Sequence, residues 1–541
     1  MTRLVHENMT PNHPTRKIRL TVLAGKGAYF ILNQLEEKPF ATTPIIVQGA
    51  AATRQREICL ATGLDSADWF NNAAGAMVGE CVFDHPDGFD LQYAFLATEG
   101  QGLNNALGMY LSIAASAQAR ATDISAGSLQ QFDDVHAPIA GRRMPLAVSW
   151  NASESYGVAG PMRFNQVARV PQTNAMTNLY IGGRPFNNAM SGWVRSLKVY
   201  NTFRTVEQLG ADMIPSTARA VMSGGQSNKH GFFRSQIGQF NTGEENAIAQ
   251  MDAYWSASEN WLINGAMNGS HAIKQNDANA DNASANWWYD PITDTFGPRM
   301  AYWEEIARAF GVSRIDAFDW DQGESDSVSS VTDLKASWLA IFNQMRSIVG
   351  DQPVIVAPIG RRSDAQTVAY NNIRQAQQEL ASENSWIHLA PEKFIYPLAD
   401  TVHLTDEGYG AHATPLMRKV MSVLGESVSG GVDGPEVLSA ARSGTNITVT
   451  LSHSAGSDFT PSSAIAGFHF RNNNAVVAIT SVARVSATQV DITLASAPNG
   501  SGEEILYYGY GTLFDEVVTY TNLVRDNSTY ALPLRATEVT L

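Results

Sequence analysis

The sequence predicts a multidomain protein that consists of a β-sandwich, an α/β domain with a parallel sheet, and a small all-β sandwich. In 41–209, short runs alternate apolar and polar residues between Gly, Asn and Asp turns, which is typical of antiparallel sheets. In 215–426, strand and helix patterns alternate, which favours a parallel sheet covered by helices. After a Gly-rich linker, 434–541 returns to strand-like alternation alone. Residues 1–40 carry no motif, and we expect an N-terminal segment that serves attachment.

Individual elements follow from the same periodicities. The apolar run Val354–Pro358 suits a buried parallel strand, and Val331–Val349 and Asp364–Glu383 have the spacing of amphipathic helices. Asp333 lies where a helix begins, and Gly350 lies where a helix stops. The clearest strand-like runs outside the α/β domain are Ile18–Ala24, Gln92–Leu96, Leu146–Ser149, Trp193–Tyr200, Val490–Leu494 and Ile505–Gly509, with a further run that begins at Asn446.

Composition excludes some classes of partner. The net charge of −15 argues against a nucleic-acid partner and against loose adhesion to an anionic polymer. No apolar run reaches the length of a membrane span, and the polar N-terminus MTRLVHENMTPNHPTRK lacks the apolar core of a signal peptide. We therefore expect no membrane partner, and either a cytoplasmic protein or one released by lysis. Cys59 and Cys81 could form a disulfide, but buried free thiols are the interpretation we favour.

Ser227 follows a strand-like run, Arg219–Met222, in the setting that a nucleophile needs. GGQSN at 224–228 predicts a sharp turn that exposes the serine Oγ beside free backbone N–H groups. The motif differs from the G-x-S-x-G elbow of α/β-hydrolases, because the residue two after Ser227 is Lys229. A lipase-type fold is therefore disfavoured.

DTVH at 400–403 supplies the partners of such a serine. His403 would take the hydroxyl proton, and Asp400 would hold the imidazole in the required tautomer. The spacing of three lets both side chains share one face of a turn. Chemistry of this kind needs no metal and no cofactor, and we expect neither.

These motifs, taken in order, resemble the SGNH (GDSL-like) hydrolases. The branch they resemble comprises carbohydrate O-acetylesterases related to sialate 9-O-acetylesterases and acetylxylan esterases. The resemblance covers about 215–425 and includes Asn268-Gly269-Ser270 and QGESD at 322–326. It implies a flavodoxin-like domain with three oxyanion donors, which are the backbone N–H groups of Ser227 and Gly269 and the side-chain amide of Gln322. Asn268 replaces the first glycine of the family's pair, which leaves open which N–H of that turn donates.

The acidic residues around Gln322 have three interpretations. We favour support of the catalytic loop by Glu324 and Asp326, with Asn228 beside the nucleophile in the same role. Asp319, Asp321, Glu324 and Asp326 could instead hold Ca²⁺, although they lack the glycine of a recognised calcium loop. The same residues could be paired carboxylates for glycoside cleavage, which is the main rival enzyme class.

Other residues suggest contacts with sugar. The aromatic pairs Trp287-Trp288 and Tyr254-Trp255 could line a sugar platform, with burial in the core as the alternative. Arg361-Arg362 could meet the carboxylate of an acidic glycan, with a solvated helix flank as the alternative.

Two further resemblances extend the interpretation. The segments 52–71 and 179–209 resemble the concanavalin-like (laminin-G-like) jelly roll of bacteriophage tail proteins, and 434–541 resembles the accessory β-sandwich of these esterases. We therefore expect a virion tail component that deacetylates capsule or O-antigen and contacts other tail proteins. A trimer is one expectation, although no heptad run supports a coiled coil. The alternatives are a bacterial acetylxylan or sialate O-acetylesterase, and a glycan receptor-binding protein without activity.

Overall fold

A computed structural model describes residues 28–31, 59–83, 91–99, 105–112, 118–125, 128–135, 143–159, 163–168, 174–182, 192–233, 242–256, 258–326, 328–362, 368–498, 502–509 and 522–541. The chain divides into two compact units. The first comprises 1–215 with 235–240 and 309–311, and the second comprises the remainder from 216 to 541. The predicted strand Ile18–Ala24 lies outside the described residues. No helix among the described residues is long and apolar enough to cross a membrane.

The first unit contains two antiparallel sheets of six strands each. Its strands are β1 (Ala28–Ile31), β2 (Cys59–Thr62), β3 (Gly75–Phe83), β4 (Leu91–Thr98), β5 (Ala106–Ser112), β6 (Gln118–Ser125), β7 (Ser128–Val135), β8 (Arg143–Trp150), β9 (Glu154–Ala159), β10 (Arg163–Ala168), β11 (Asn178–Ile181) and β12 (Gly192–Tyr200). The strand orders are β1-β12-β3-β8-β9-β10 and β2-β11-β4-β5-β6-β7. The predicted runs in β4, β8 and β12 are therefore strands.

The core of this unit lies between the two sheets. Met77 and Val148 from the first sheet join Phe95 and Leu107 from the second in one buried cluster. Cys81 lies in the same cluster as a free thiol, and burial raises its pKa far above the ordinary value. The Cys59 side chain lies outside the described residues. Packing between two antiparallel faces makes this part of the unit a sandwich.

The unit ends with one helix, α1 (Val206–Met213). Thr205 caps it by accepting from the Gln208 N–H at 3.4 Å, and the Gln208 side chain accepts from the Thr205 N–H at 3.0 Å. This reciprocal capping box satisfies backbone donors at the helix start.

The second unit is built on a parallel sheet of five strands. Its strands are β13 (Arg219–Gly225), β14 (Asn260–Asn264), β18 (Ile315–Asp321), β19 (Val354–Val356) and β20 (Ile387–Leu389). They lie in the order β14-β13-β18-β19-β20, which is the 2-1-3-4-5 order of flavodoxin-like sheets. In such sheets, ligands bind beyond the carboxyl ends of the strands at the switch between the first and third strands.

Helices and a small side sheet accompany these strands. The helices are α2 (Ser227–Phe232), α3 (Thr242–Tyr254), α4 (Pro298–Phe310), α5 (Val331–Val349), α6 (Val368–Glu383) and α7 (Asp406–Val423). The side sheet contains β15 (His271–Ile273), β16 (Trp287–Asp290) and β17 (Thr295–Phe296). Short 3-10 turns lie at Leu64–Ser66, Lys274–Asn276, Val312–Arg314 and Glu324–Asp326.

The predicted helix Val331–Val349 is confirmed with both of its ends. Ser330 is its cap and accepts from the Asp333 N–H at 3.1 Å, while Gly350 ends it with a φ of 100°. The other predicted helix is observed as Val368–Glu383, and the first residues of the prediction lie outside the described residues.

The chain closes with an all-β module in the second unit. Its strands are β21 (Glu436–Ser443), β22 (Asn446–Ser452), β23 (Phe459–Thr460), β24 (Phe468–Asn472), β25 (Ala475–Val476), β26 (Ile479–Ser486), β27 (Gln489–Leu494), β28 (Glu504–Tyr508), β29 (Arg525–Asp526) and β30 (Thr537–Thr540). Two of its sheets have four strands, ordered β21-β22-β27-β26 and β25-β24-β28-β30. The module packs on the parallel-sheet region, where the Gln378 side chain donates to the Ala536 carbonyl at 2.6 Å.

Candidate active site

Ser227 is the first residue of α2, two residues after β13 ends. Gly225, the last residue of β13, has a φ of 120°, and a Cβ there would lie 2.0 Å from the Asp321 carbonyl oxygen. Only glycine allows the end of β13 to approach β18 this closely. Ser227 is half-buried, and its hydroxyl makes no hydrogen bond to a described residue. Catalytic hydrogen bonds in unliganded enzymes are often long and shorten when substrate binds.

Asp400 and His403 form the predicted pair. Asp400 Oδ2 lies 2.6 Å from His403 Nδ1, and Asp400 Oδ1 accepts from the N–H groups of Val402 and His403 at 2.8 Å each. Burial acts to raise the pKa of Asp400, but these backbone donors and the His403 ring outweigh it and lower the pKa to about 2. Asp400 is therefore a carboxylate that holds the proton on Nδ1 and leaves Nε2 free to accept one.

The Asn228 side chain connects the segment of Ser227 to the segment of His403. Its Nδ2 donates to the Val402 carbonyl at 3.2 Å, and its Oδ1 accepts from the Leu404 N–H at 3.4 Å. These two residues flank His403 in the chain, and Asn228 itself follows Ser227. The predicted nucleophile and base therefore belong to segments that one buried amide holds together. Asn228 Oδ1 also accepts from the Tyr409 hydroxyl at 3.1 Å.

Gln322 faces the interior in this structure. Its side chain is fully buried, and Nε2 lies 2.9 Å from Gln226 Oε1, 2.9 Å from the Ser270 carbonyl and 2.6 Å from Asp326 Oδ2. An amide nitrogen has two hydrogens, and three protein acceptors already surround this one. The expected role of Gln322 as an oxyanion donor would require this amide to leave its present partners.

Hydrogen bonds of Gln226, Ser270 and Gln322 connect the motifs GGQSN, NGS and QGESD. Gln226 Oε1 accepts from the Gln322 amide and from the Ser325 N–H at 3.0 Å. Ser270 Oγ donates to the Gly225 carbonyl at 2.9 Å, which links the turn of Asn268-Gly269-Ser270 to the strand before Ser227. The three motifs therefore meet at the carboxyl ends of β13, β14 and β18, as the parallel fold predicts.

Gly269 lies at an exposed turn with a φ of 63°. Its N–H makes no hydrogen bond to a described residue. The Asn286 side chain donates to the Asn268 carbonyl at 2.8 Å and fixes the turn from the outside. Of the two non-serine donors expected from the resemblance, the Gly269 N–H is therefore the one without a protein acceptor in the described part of the chain.

Each of the four carboxylates around Gln322 has polar partners within the protein. Asp319 pairs with Lys229, and Asp321 pairs with Lys393. Glu324 Oε1 accepts from the Asn228 side chain at 2.7 Å. Burial raises the pKa of Asp321 to about 6, although Lys393 opposes this.

Asp326 supports the turn that carries Ser270. It accepts from the N–H groups of Ala272 and Ile273 at 3.0 and 3.3 Å, and from the Asn276 side chain at 2.9 Å. Burial raises its pKa in spite of these donors. Within the described residues, no group of three or more His, Cys, Asp or Glu side chains converges in a way that could hold a metal ion.

Several residues of this network are not evident from the sequence. Gln226 stands inside the GGQSN motif, but its role as an acceptor for two loops depends on contacts about a hundred residues away. Lys393 and Tyr409 belong to no motif. Lysine is rarely buried without a partner, but the burial of Lys393 is not visible in the sequence, and its partner Asp321 lies 72 residues away.

The three tryptophans of the two aromatic pairs belong to the core. Trp288 is fully buried and packs edge-on against Trp320 with ring centroids 5.0 Å apart. Trp255 and Trp287 are also buried, whereas Tyr254 is half-buried. Trp288 and Trp255 therefore do not form an exposed sugar platform. Arg361 is buried, and this burial lowers its pKa to about 10, so it still carries its charge at neutral pH.

No protein-family model and no curated protein matches the chain. Among solved structures, it is similar to a carbohydrate acetylesterase from Xanthomonas citri, with 11% identity over 90% of this chain and 96% of that chain and a TM-score of 0.44. It is also similar to the CBM40 module of a Ruminococcus gnavus IT-sialidase bound to α2,3-sialyllactose, with 12% identity over 26% of this chain and 85% of that chain and a TM-score of 0.23. A Trypanosoma rangeli sialidase matches with 14% identity over 26% of this chain and 22% of that chain and a TM-score of 0.21. Similarity at this level does not identify an activity.

Proposed function

We propose that the protein is a serine esterase that removes O-acetyl groups from a carbohydrate. The observation that carries this proposal is the position of Asn228. It follows Ser227 directly, and its side chain is hydrogen-bonded to the backbone on both sides of His403. His403 in turn is bound to the Asp400 carboxylate. Nucleophile, base and orienting acid are the set that acyl transfer requires.

The acylation step uses these residues in sequence. Ser227 Oγ attacks the carbonyl carbon of the acetyl ester while His403 Nε2 takes the hydroxyl proton. The negatively charged Asp400 stabilises the imidazolium that forms. The tetrahedral intermediate then collapses, the ester C–O bond breaks, and His403 returns the proton to the sugar oxygen. Acetyl-Ser227 and a free sugar hydroxyl result.

Deacylation repeats the chemistry with water. His403 takes a proton from a water molecule that attacks the acetyl carbon, and Ser227 leaves with that proton while acetate is released. We assign the oxyanion contacts to the N–H groups of Ser227 and Gly269. The first N–H groups of a helix have no acceptor within the helix, so the Ser227 N–H is available. Gln322 instead holds the loops in place in this conformation.

The substrate that we propose is an acetylated bacterial surface polysaccharide, such as capsule or O-antigen. Support comes from the resemblance of 52–71 and 179–209 to phage tail proteins, which also suggests release by lysis and assembly with other tail proteins. The proposed division assigns glycan docking to 41–209, hydrolysis to 215–426 and support to 434–541. A bacterial acetylxylan or sialate O-acetylesterase remains the alternative within the same chemistry.

The proposal is tested with p-nitrophenyl acetate and with purified polysaccharides. The full chain should hydrolyse the small ester, and Ser227→Ala should abolish turnover. NMR spectra of each polysaccharide should lose the acetyl methyl resonance after treatment while the chain length is unchanged. A falling chain length would favour glycoside cleavage by the carboxylates of 319–326. Glycan binding without any hydrolysis of either substrate would favour a receptor-binding protein.

A further inference from the structure

Lys393 places a buried ammonium group behind the proposed site. Its side chain is 1% exposed, and Nζ pairs with Asp321 and lies 3.8 Å from Glu324 Oε1. Lysine pays a large desolvation cost when buried, and such a group persists when carboxylates face it. Lys393 thus holds two acidic side chains, Asp321 at the end of β18 and Glu324 in the turn that follows.

One of these carboxylates, that of Glu324, also contacts the residue that is hydrogen-bonded to the backbone beside His403. Glu324 Oε1, the atom that faces Lys393, accepts from Asn228 Nδ2 at 2.7 Å. That same nitrogen donates to the Val402 carbonyl at 3.2 Å. A continuous path therefore runs from the Lys393 ammonium through Glu324 and Asn228 to the backbone beside His403. A charged acceptor strengthens such a bond relative to a neutral one.

Lys393 is itself held in place by its neighbours in the chain. Glu392 is buried and accepts from the Ala536 N–H of the C-terminal module at 3.2 Å. The Phe394 ring lies 6.3 Å from the Tyr508 ring of the same module. Lys393 therefore lies between two residues that both contact the C-terminal module.

We propose that Lys393 is a positioning residue for the esterase reaction, because it fixes Glu324 and thereby the Asn228 contacts that set the place of His403. The inference rests on the proposed function. Lys393 does not touch the reacting atoms, and its effect passes through Glu324 and Asn228.

The kinetic experiment uses the full chain with Lys393→Met, which keeps an unbranched side chain one atom shorter and removes the charge. We expect kcat on p-nitrophenyl acetate to fall about 10- to 100-fold with KM little changed, since a small displacement of a catalytic group has effects of this size. Lys393→Arg should recover part of the loss. The matched control is Lys419→Met on α7, which breaks the pair of Lys419 with Asp433 at 2.8 Å and should keep kcat within about twofold.

A double-mutant cycle tests the path. If Lys393 acts through Asn228, Lys393→Met combined with Asn228→Ala should be little slower than Asn228→Ala alone. Glu324→Gln, which keeps the shape and removes the charge, should reproduce part of the effect. It also serves as the second variant if Lys393→Met does not fold, as judged by circular dichroism. Losses that multiply independently in the double variant would overturn the proposal.

Hydrogen exchange gives a readout that does not depend on turnover. The peptide that contains Leu404 should exchange faster in Lys393→Met than in wild type or Lys419→Met, because its N–H loses a fixed acceptor in Asn228. Faster exchange in a protein without esterase activity would contradict the proposed function and leave the positioning path intact. Unchanged exchange together with wild-type kcat would refute the role of Lys393.

Discussion

The side-chain amide of Asn228 donates a hydrogen bond of 3.2 Å to the backbone carbonyl of Val402. This contact connects α2, which begins at Ser227, to the loop of the proposed base His403. Asn228→Ala should therefore lower kcat about 10- to 100-fold while KM changes little, because the base loses its position and the substrate contacts remain. Steady-state kinetics on a small acetyl ester measure both constants.

A matched control is Asn246→Ala on α3. Its amide donates to the Gly410 carbonyl at 3.0 Å, which is the same kind of bond between elements away from Ser227. This variant should keep its kcat. Equal kinetic effects of the two substitutions would mean that Asn228 contributes to stability alone.

The proposed triad should behave as one unit. Ser227→Ala and His403→Ala should each lower kcat by about 10⁴- to 10⁶-fold, and the double variant should add little to either loss. Asp400→Asn should cost less, because Asp400 orients the ring and does not receive the proton. Single-turnover and steady-state assays on the same ester make the comparison. Near-normal turnover by Ser227→Ala would exclude the mechanism.

Gln322→Glu distinguishes a structural role of Gln322 from a role as an oxyanion donor. A glutamate would direct its oxygens at Gln226 Oε1, the Ser270 carbonyl and Asp326 Oδ2, all of which are acceptors. We expect a loss of about 3–5 kcal/mol in the free energy of unfolding, which is typical of an unpaired buried charge. Urea denaturation measures it.

The control for this change is Gln375→Glu, in which an exposed amide that donates to Glu379 at 2.8 Å becomes a carboxylate. It should cost less than about 1 kcal/mol, since exposed charges interact weakly. If Gln322→Glu were as mild as the control and still lost activity, Gln322 would be an oxyanion donor that turns toward substrate.

Asp321 predicts a pH dependence of stability. Burial raises its folded pKa to about 6 against the attraction of Lys393, with Glu324 adding to the rise and Lys229 opposing it. An unfolded aspartate titrates near pH 4, as in model peptides, so between these values the folded protein keeps a proton that the unfolded chain releases. The contribution of Asp321 to stability is therefore greatest at low pH and falls as pH rises through about 6.

Asp321→Asn removes this titration. The free energy of unfolding of the variant minus that of wild type should increase between pH 4 and pH 7, by on the order of 2–3 kcal/mol. Thermal or urea unfolding of both proteins across this range measures the difference. A constant difference would show that Asp321 has an ordinary pKa in the folded protein.

Local patterns predicted much of the architecture. The helix Val331–Val349 was predictable because its apolar spacing, an acidic first turn and Gly350 all agree. Strand β13 and the turn before Ser227 were predictable, because glycines directly after an apolar run indicate a sharp turn at the end of a strand. Asp400 and His403 are three residues apart, so their contact of 2.6 Å follows from local geometry.

Contacts between distant segments were not predictable in the same way. The Lys393 pair with Asp321 spans 72 residues, and the Gln226 bond with Gln322 spans 96. No local periodicity encodes them. The direction of the Gln322 amide depends on packing around it, and family resemblance alone suggested the opposite direction. The sequence around Trp288 likewise does not indicate which side of the sheet this residue covers.

The hydrogen bond from the Ala536 N–H to Glu392 affects when the site becomes complete during translation. A ribosome exposes Ser227 long before His403, and the support for Lys393 arrives only after residue 536 has emerged. A nascent chain would thus carry its serine for many seconds without a fixed base, at typical elongation rates of about 5–20 residues per second. Under the proposed function, acetylated sugars in the producing cell would meet a complete site only after translation has passed that point.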